Sequence, residues 1–166
     1  MKRLITFTAA ALITGLAFAQ AAATNPFTQD FTKGLGKWEA MKCTSTQDAD
    51  GLKITKTEEY GGIAIEEFRE TYDLSAYKSI DFVMENKSDK PIEFSYKIKS
   101  GKATPPNTPE AHTMDQAATL QPGEHTVSFP LNVGSINTKE VNYIKIWTAA
   151  NADLKLTIKK ASFTNK

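Results

Sequence analysis

Residues 141–151 read VNYIKIWTAAN, and the spacing of their apolar side chains predicts an extended strand. Alternate side chains of a strand face opposite ways, so Ile144, Ile146 and Thr148 share one face while Tyr143, Lys145 and Trp147 share the other. The isoleucine face reads as core. The same period of two recurs along the chain. Leu52 and Ile54 alternate with Lys53 and Thr55 in GLKITKT, Ile63 and Ile65 mark GGIAIEEF, and Ile80, Phe82 and Met84 mark SIDFVMEN. In PIEFSYKIKSG the inward set is Ile92, Phe94, Tyr96 and Ile98, an alternation that a helical period of 3.6 would scramble. HTVSFPL buries Val127, Phe129 and Leu131, and LKLTIKKASF buries Leu154, Leu156 and Ile158. Short alternating runs separated by turn residues predict a single antiparallel β-sandwich.

Helix signals are weak. Glu66 to Ala76 carries charge and helix formers, but Thr71, Tyr72 and Asp73 interrupt it. No repeat of 20 to 50 residues is visible, which argues against a solenoid or propeller. The one long irregular segment is predicted over residues 101–118, where Pro105, Pro106 and Pro109 fall close together. Such a segment is either a plain surface loop or the rim of a ligand site.

The amino terminus changes the picture of compartment. Lys2 and Arg3 precede an apolar run from Leu4 to Ala19 that ends in Ala17, Phe18 and Ala19, which predicts a secretory signal peptide over residues 1–19 and a mature domain over 20–166. The run is short for a membrane span, and no later stretch reaches about 20 apolar residues. The expected location is the bacterial periplasm or outside the cell, with no membrane insertion. Cleavage removes two cations and moves the net charge from +1 to −1, leaving Arg69 as the one arginine. A lysine-rich chain without a clustered basic footprint is a poor match for nucleic acid. Cys43 is the sole cysteine, so no disulfide can form within the chain.

Several motifs together resemble the galactose-binding-like jelly roll of carbohydrate-binding modules. YDLSAYKSIDFVMENKSDKPIEFSYKIKSG is similar to that family's turn, alternating strand, polar hairpin and second strand. LQPGEHTVSFPL, VNYIKIWTAAN and LKLTIKKASF resemble its later strands, and QDFTKGLGKWEA its opening, with Trp38 in the usual aromatic place. The resemblance implies a sandwich that binds a glycan. Many members hold a structural calcium between an acidic residue after the opening Asp-Phe and an Asp after the last strand's apolar run. Thr32 and Lys159 stand there instead. Calcium wants several hard oxygen ligands and tolerates no ammonium among them, so no metal or other cofactor is expected, with Lys159 standing in for the ion's charge. His125 replaces the aromatic expected after the Pro-Gly turn.

Sugars offer apolar C–H faces and polar edges, so an exposed aromatic plane with a few hydrogen-bonding side chains suits them. Trp147, Tyr143 and Lys145 meet that need on one strand face, with His112, Trp38 and Tyr60 as further candidate contacts. Trp38 equally suits a packed end of the sandwich, and Tyr60 precedes Gly61 and Gly62, which mark a bulge or tight bend. The acidic residues Glu58, Glu59, Glu66, Glu67 and Glu70 read as solvated strand faces rather than a paired-carboxylate hydrolase. Neither an H-E-x-x-H nor a G-x-S-x-G pattern is present, so catalytic residues are not expected. Asn86, Lys87 and Ser88 form an N-x-S sequon that also reads as a hairpin turn. The expected function is noncatalytic glycan binding. The competing reading is a structural module of the cell envelope that docks on a protein partner and retains a vestigial sugar site.

Overall fold

The computed structural model describes residues 27–66, 71–101 and 112–165, the side chains of 112–114 excepted. The predicted signal peptide and residues 102–111 of the predicted irregular segment lie outside the described residues. Among the described residues nine strands appear in chain order: β1 (Gln29–Asp30), β2 (Glu39–Asp48), β3 (Gly51–Glu66), β4 (Ser79–Asn86), β5 (Ile92–Ser100), β6 (His112–Leu120), β7 (Gly123–Pro130), β8 (Val141–Thr148) and β9 (Leu156–Thr164). No helix occurs among the described residues.

Every strand pairing is antiparallel, and the order is β6-β5-β8-β3-β9-β4-β7, with β2 added beside β3 and β1 beside β9. The length of β3 makes two layers out of this one sheet. Its first half, Leu52 to Ile54, pairs with β9, while Gly61 to Glu66 pairs with β8. One layer is therefore β6-β5-β8-β3-β2, and the other is β7-β4-β9-β3. The free edges approach each other where Gln116 Nε2 of β6 donates to Pro130 O of β7 at 3.4 Å. The result is an all-β sandwich, nearly closed.

The alternation read from the sequence supplies the core. Ile63, Ile65, Ile144, Ile146, Phe94, Tyr96 and Ile98 of one layer are buried against Ile80, Phe82, Met84, Leu156, Ile158 and Phe129 of the other. Tyr96 and Phe129 stack across the layers with ring centroids 4.5 Å apart. Val127, expected inside, is only half-buried. Asn86 is buried at the end of β4, where its Nδ2 donates to Lys90 O at 2.7 Å and to Leu120 O at 3.2 Å. Its Oδ1 accepts from Ser88 N and Oγ, so the sequon closes a hairpin turn as expected.

Three expectations about elements are corrected. GLKITKT and the described part of GGIAIEEF, residues 61–66, belong to one strand of 16 residues rather than two. β2 was not foreseen, because its side chains are half-buried at best and carry no apolar alternation. The carboxyl-terminal half of the predicted irregular segment is β6, whose alternation is masked by small and polar residues yet is held by pairing with β5 from Ser100↔His112 to Ile92↔Leu120.

Candidate functional site

The outer face of the β6-β5-β8-β3-β2 layer carries the candidate site. Residues paired across antiparallel strands share a face. The register Ala117↔Ser95↔Trp147↔Gly62↔Met41 defines one row of it. Asp115↔Lys97↔Lys145↔Ala64↔Glu39 defines the next. A third row runs Thr113↔Lys99↔Tyr143↔Glu66. The isoleucines of β8 turn inward, as the alternation requires, and Trp147 emerges half-buried on the outer side.

Gly62 lets β3 approach the β8 backbone closely beside Trp147. A Cβ there would sit 2.1 Å from Ile146 O and 2.7 Å from Trp147 Cα, so no larger residue fits between β3 and β8. Just before it the ladder breaks. Met41 pairs with Gly62 and Cys43 with Thr57, so on the β2 side Glu58, Glu59, Tyr60 and Gly61 stand opposite Lys42 alone. Lys42 and Tyr60 both adopt positive φ, 49° and 63°, a backbone that costs about 1–2 kcal/mol for a residue with a Cβ. This bulge lifts Tyr60 into solvent at 52% exposure, the one large apolar side chain exposed among the described residues. Its ring centroid lies 6.5 Å from that of Trp147, tilted by 53°. Glu59 beside it holds the phenol above its ordinary pKa, so the ring stays neutral across the physiological range.

Lysines surround the indole. Lys97 Nζ is 5.9 Å and Lys145 Nζ 5.6 Å from the ring centroid, both within cation–π range. Lys145 is half-buried, and burial lowers its pKa, assisted by repulsion from Lys42, Lys97 and Lys99 and opposed by Glu66. Lys97 lies 3.5 Å from Asp115 Oδ1. Beyond Ser95 the face runs into a depression of about 330 Å³ lined by Glu93, Ser95, Ala117, Thr148 and Asn151 among others.

The remaining candidates fall elsewhere. Trp38 is 2% exposed, donates Nε1–H to Phe27 O at 2.9 Å and packs edge-on against Phe31 and Phe82. It is a core residue, with no open ring for a ligand. Tyr143 shares the Trp147 face but is only 9% exposed, with Lys99 Nζ 4.2 Å from its ring centroid, so it is no open platform either. His112 begins β6 in register with Ser100, and its side chain lies outside the described residues. Thr32 donates its backbone N–H and its hydroxyl to Asp30 Oδ1. The ammonium of Lys159 reaches Glu85 and Glu124 rather than Asp30. His125 is exposed on β7, in the opposite layer, with Nε2 3.0 Å from Pro122 O. Cys43 is half-buried with its thiol pKa raised by burial, which keeps it a weak nucleophile at neutral pH. Nothing local in the sequence points to Lys97 or Lys42, since only the sheet places β5 beside β8 and β2 one strand beyond, next to β3.

Neither a protein-family model nor a curated protein matches the sequence. Solved structures do. A family 11 carbohydrate-binding module from Clostridium thermocellum, in complex with a β-1,3-1,4-mixed-linked tetrasaccharide, is similar over 83% of this chain and 94% of its own, with 15% identity and a TM-score of 0.55. The second amino-terminal cellulose-binding domain of Cellulomonas fimi β-1,4-glucanase C matches over 86% and 93%, with 14% identity and a TM-score of 0.51. The structure of PfGH50B matches over 84% of this chain at 13% identity with a TM-score of 0.63, and the chain spans about a quarter of its length. At such identities the likeness is one of fold, and the fold is the β-sandwich of carbohydrate-binding modules.

Proposed function

We propose that the chain is a noncatalytic, secreted carbohydrate-binding protein, a jelly roll of the galactose-binding-like type, whose outer face around Trp147 and Tyr60 takes a poly- or oligosaccharide. The observation that carries this reading is the aromatic pair itself. A strained backbone holds one ring in solvent beside a second, half-open ring, and folding alone gains nothing from that exposure. The rings offer the C–H faces of a sugar an apolar surface, while Lys97, Lys145, Ser95 and Asp115 can hydrogen-bond its hydroxyls. Shielding ~100 Å² of sugar on the indole contributes about 2.5 kcal/mol, against the roughly 8 kcal/mol of a micromolar complex. Single sugars should therefore bind weakly, and a chain that also reaches the depression beyond Ser95 should bind better.

Affinity electrophoresis in gels containing soluble polysaccharides, with tryptophan fluorescence as a second readout, tests the proposal. Retardation by at least one glycan, lost in Trp147→Ala and weakened several-fold in Tyr60→Ala, is expected. Absence of retardation on every glycan, with the emission unchanged, would overturn it in favour of an envelope protein-interaction module.

A further inference from the structure

Resting on that reading, we propose that the saccharide is anionic: the rows around Trp147 are built to receive carboxylate or sulfate groups on a sugar chain. Lys97 and Lys145 are directly opposite one another on β5 and β8, a like-charge pair that destabilises a sheet. Both ammonium groups converge on the indole, at 5.9 and 5.6 Å from its centroid. Lys145 has no ion-pair partner among the described residues, although it is half-buried. Among the described residues the one ion-pair partner of Lys97 is Asp115, at 3.5 Å, whose side chain is mostly open to water.

The charges on the neighbouring strands are of both signs. Lys42 on β2 and Lys99 on β5 both repel the charge of Lys145, and Glu66 on β3 is the carboxylate that favours it. Glu39 lies in the same row but two strands away from Lys145, Glu93 stands two rows away on β5, and Glu59 is engaged by the Tyr60 phenol. Two other lysines show the opposite arrangement: Lys53 sits between Asp48 and Asp50, and Lys159 between Glu85 and Glu124. A neutral glycan leaves the repulsion at Trp147 in place. An anionic group beside the ring meets two ammonium groups, and its desolvation by the aromatic pair strengthens both contacts.

The test compares the same gels loaded with polygalacturonate, ι-carrageenan, agarose or mixed-linkage β-glucan, with polyglutamate as a polyanion that is not a sugar. Binding to polygalacturonate or ι-carrageenan at least tenfold tighter than to the two neutral glycans is expected, and the one preferred identifies carboxylate or sulfate as the group recognised. Lys97→Gln and Lys145→Gln should each weaken that binding at least fivefold while leaving the melting temperature near that of the wild type, and Lys160→Gln on β9 should not. Equal binding of neutral and anionic glycans would overturn the anionic preference and leave the sugar site standing. Polyglutamate binding as tight as the acidic glycans would overturn it as mere charge attraction, and lysine variants that bind the acidic glycans as the wild type does would overturn the placing of the anion beside Trp147. Retention on no glycan would remove the sugar site as well.

Discussion

Tyr60 shows how a single residue can be placed against its own preference. Its φ of 63° belongs to glycine-like backbone, and the two glycines that follow allow the chain to pass close to Lys42 O and Ile146 O. Tyr60→Gly should relieve the strain and lose the contact with Trp147, two effects of about 1 kcal/mol each and opposite sign, leaving stability within ~1 kcal/mol of the wild type. Chemical denaturation should show this near-neutrality while glycan retention falls several-fold. Tyr96 is the converse case. Its hydroxyl is buried without a hydrogen-bond partner among the described residues, and burial pushes its pKa far upward. Tyr96→Phe removes the unsatisfied group and keeps the stack on Phe129, so it should stabilise the protein by about 1 kcal/mol in urea or thermal unfolding. The sequence marked Tyr96 correctly as core, but it could not reveal whether the hydroxyl would meet an acceptor.

At the scale of the element, β3 does most to set the site. It belongs to both layers, bulges at Tyr60, and brings β2 and β8 together at Gly61 and Gly62. Gly62→Ala would put a methyl 2.1 Å from Ile146 O, a clash with backbone that no rotamer relieves. The substitution should cost about 3 kcal/mol and disturb Trp147 fluorescence in the folded state, both measurable in one unfolding titration. Strands buried on one face, such as β4, β5 and β8, were legible because their apolar residues alternate without a break. β2 and β6 were not. Their stability comes from pairing with β3 and β5, and a strand held by its neighbour's backbone needs no apolar signature of its own.

For the whole molecule, pH dependence follows from where charges are paired. Asp30, Asp48 and Asp73 have pKa values below 3.8, held there first by side-chain hydrogen bonds from Thr32, Lys53 and Ser75 respectively. A lowered carboxylate pKa gives stability that is present above 3.8 and lost as pH falls through the lower folded value. Lys53 and Lys159 are raised above 10.5 by hydrogen bonds to Asp48 and Glu124, so their contribution is present below 10.5 and lost at higher pH. The melting temperature should stay level from pH 5 to 9 and decline below 3.8, and Asp48→Asn should reduce the acid decline. With one cysteine in the chain, reductant should leave that profile unchanged.

By itself the sequence determined the all-β class, most of the inward faces and the side of β8 on which Trp147 emerges, because a period of two is a local property of an extended chain. The identity of the aromatics that remain open was decided only in three dimensions. Trp38 and Tyr143 look as available in sequence as Trp147 and Tyr60, yet packing covers the first pair, and a bulge opposite Lys42 exposes Tyr60. The lysines that meet at the indole, Lys97 and Lys145, are far apart in the chain, and their conjunction depends on register between β5 and β8. Exposure and the neighbours of a charge are properties of the assembled layers, so no local pattern encodes them.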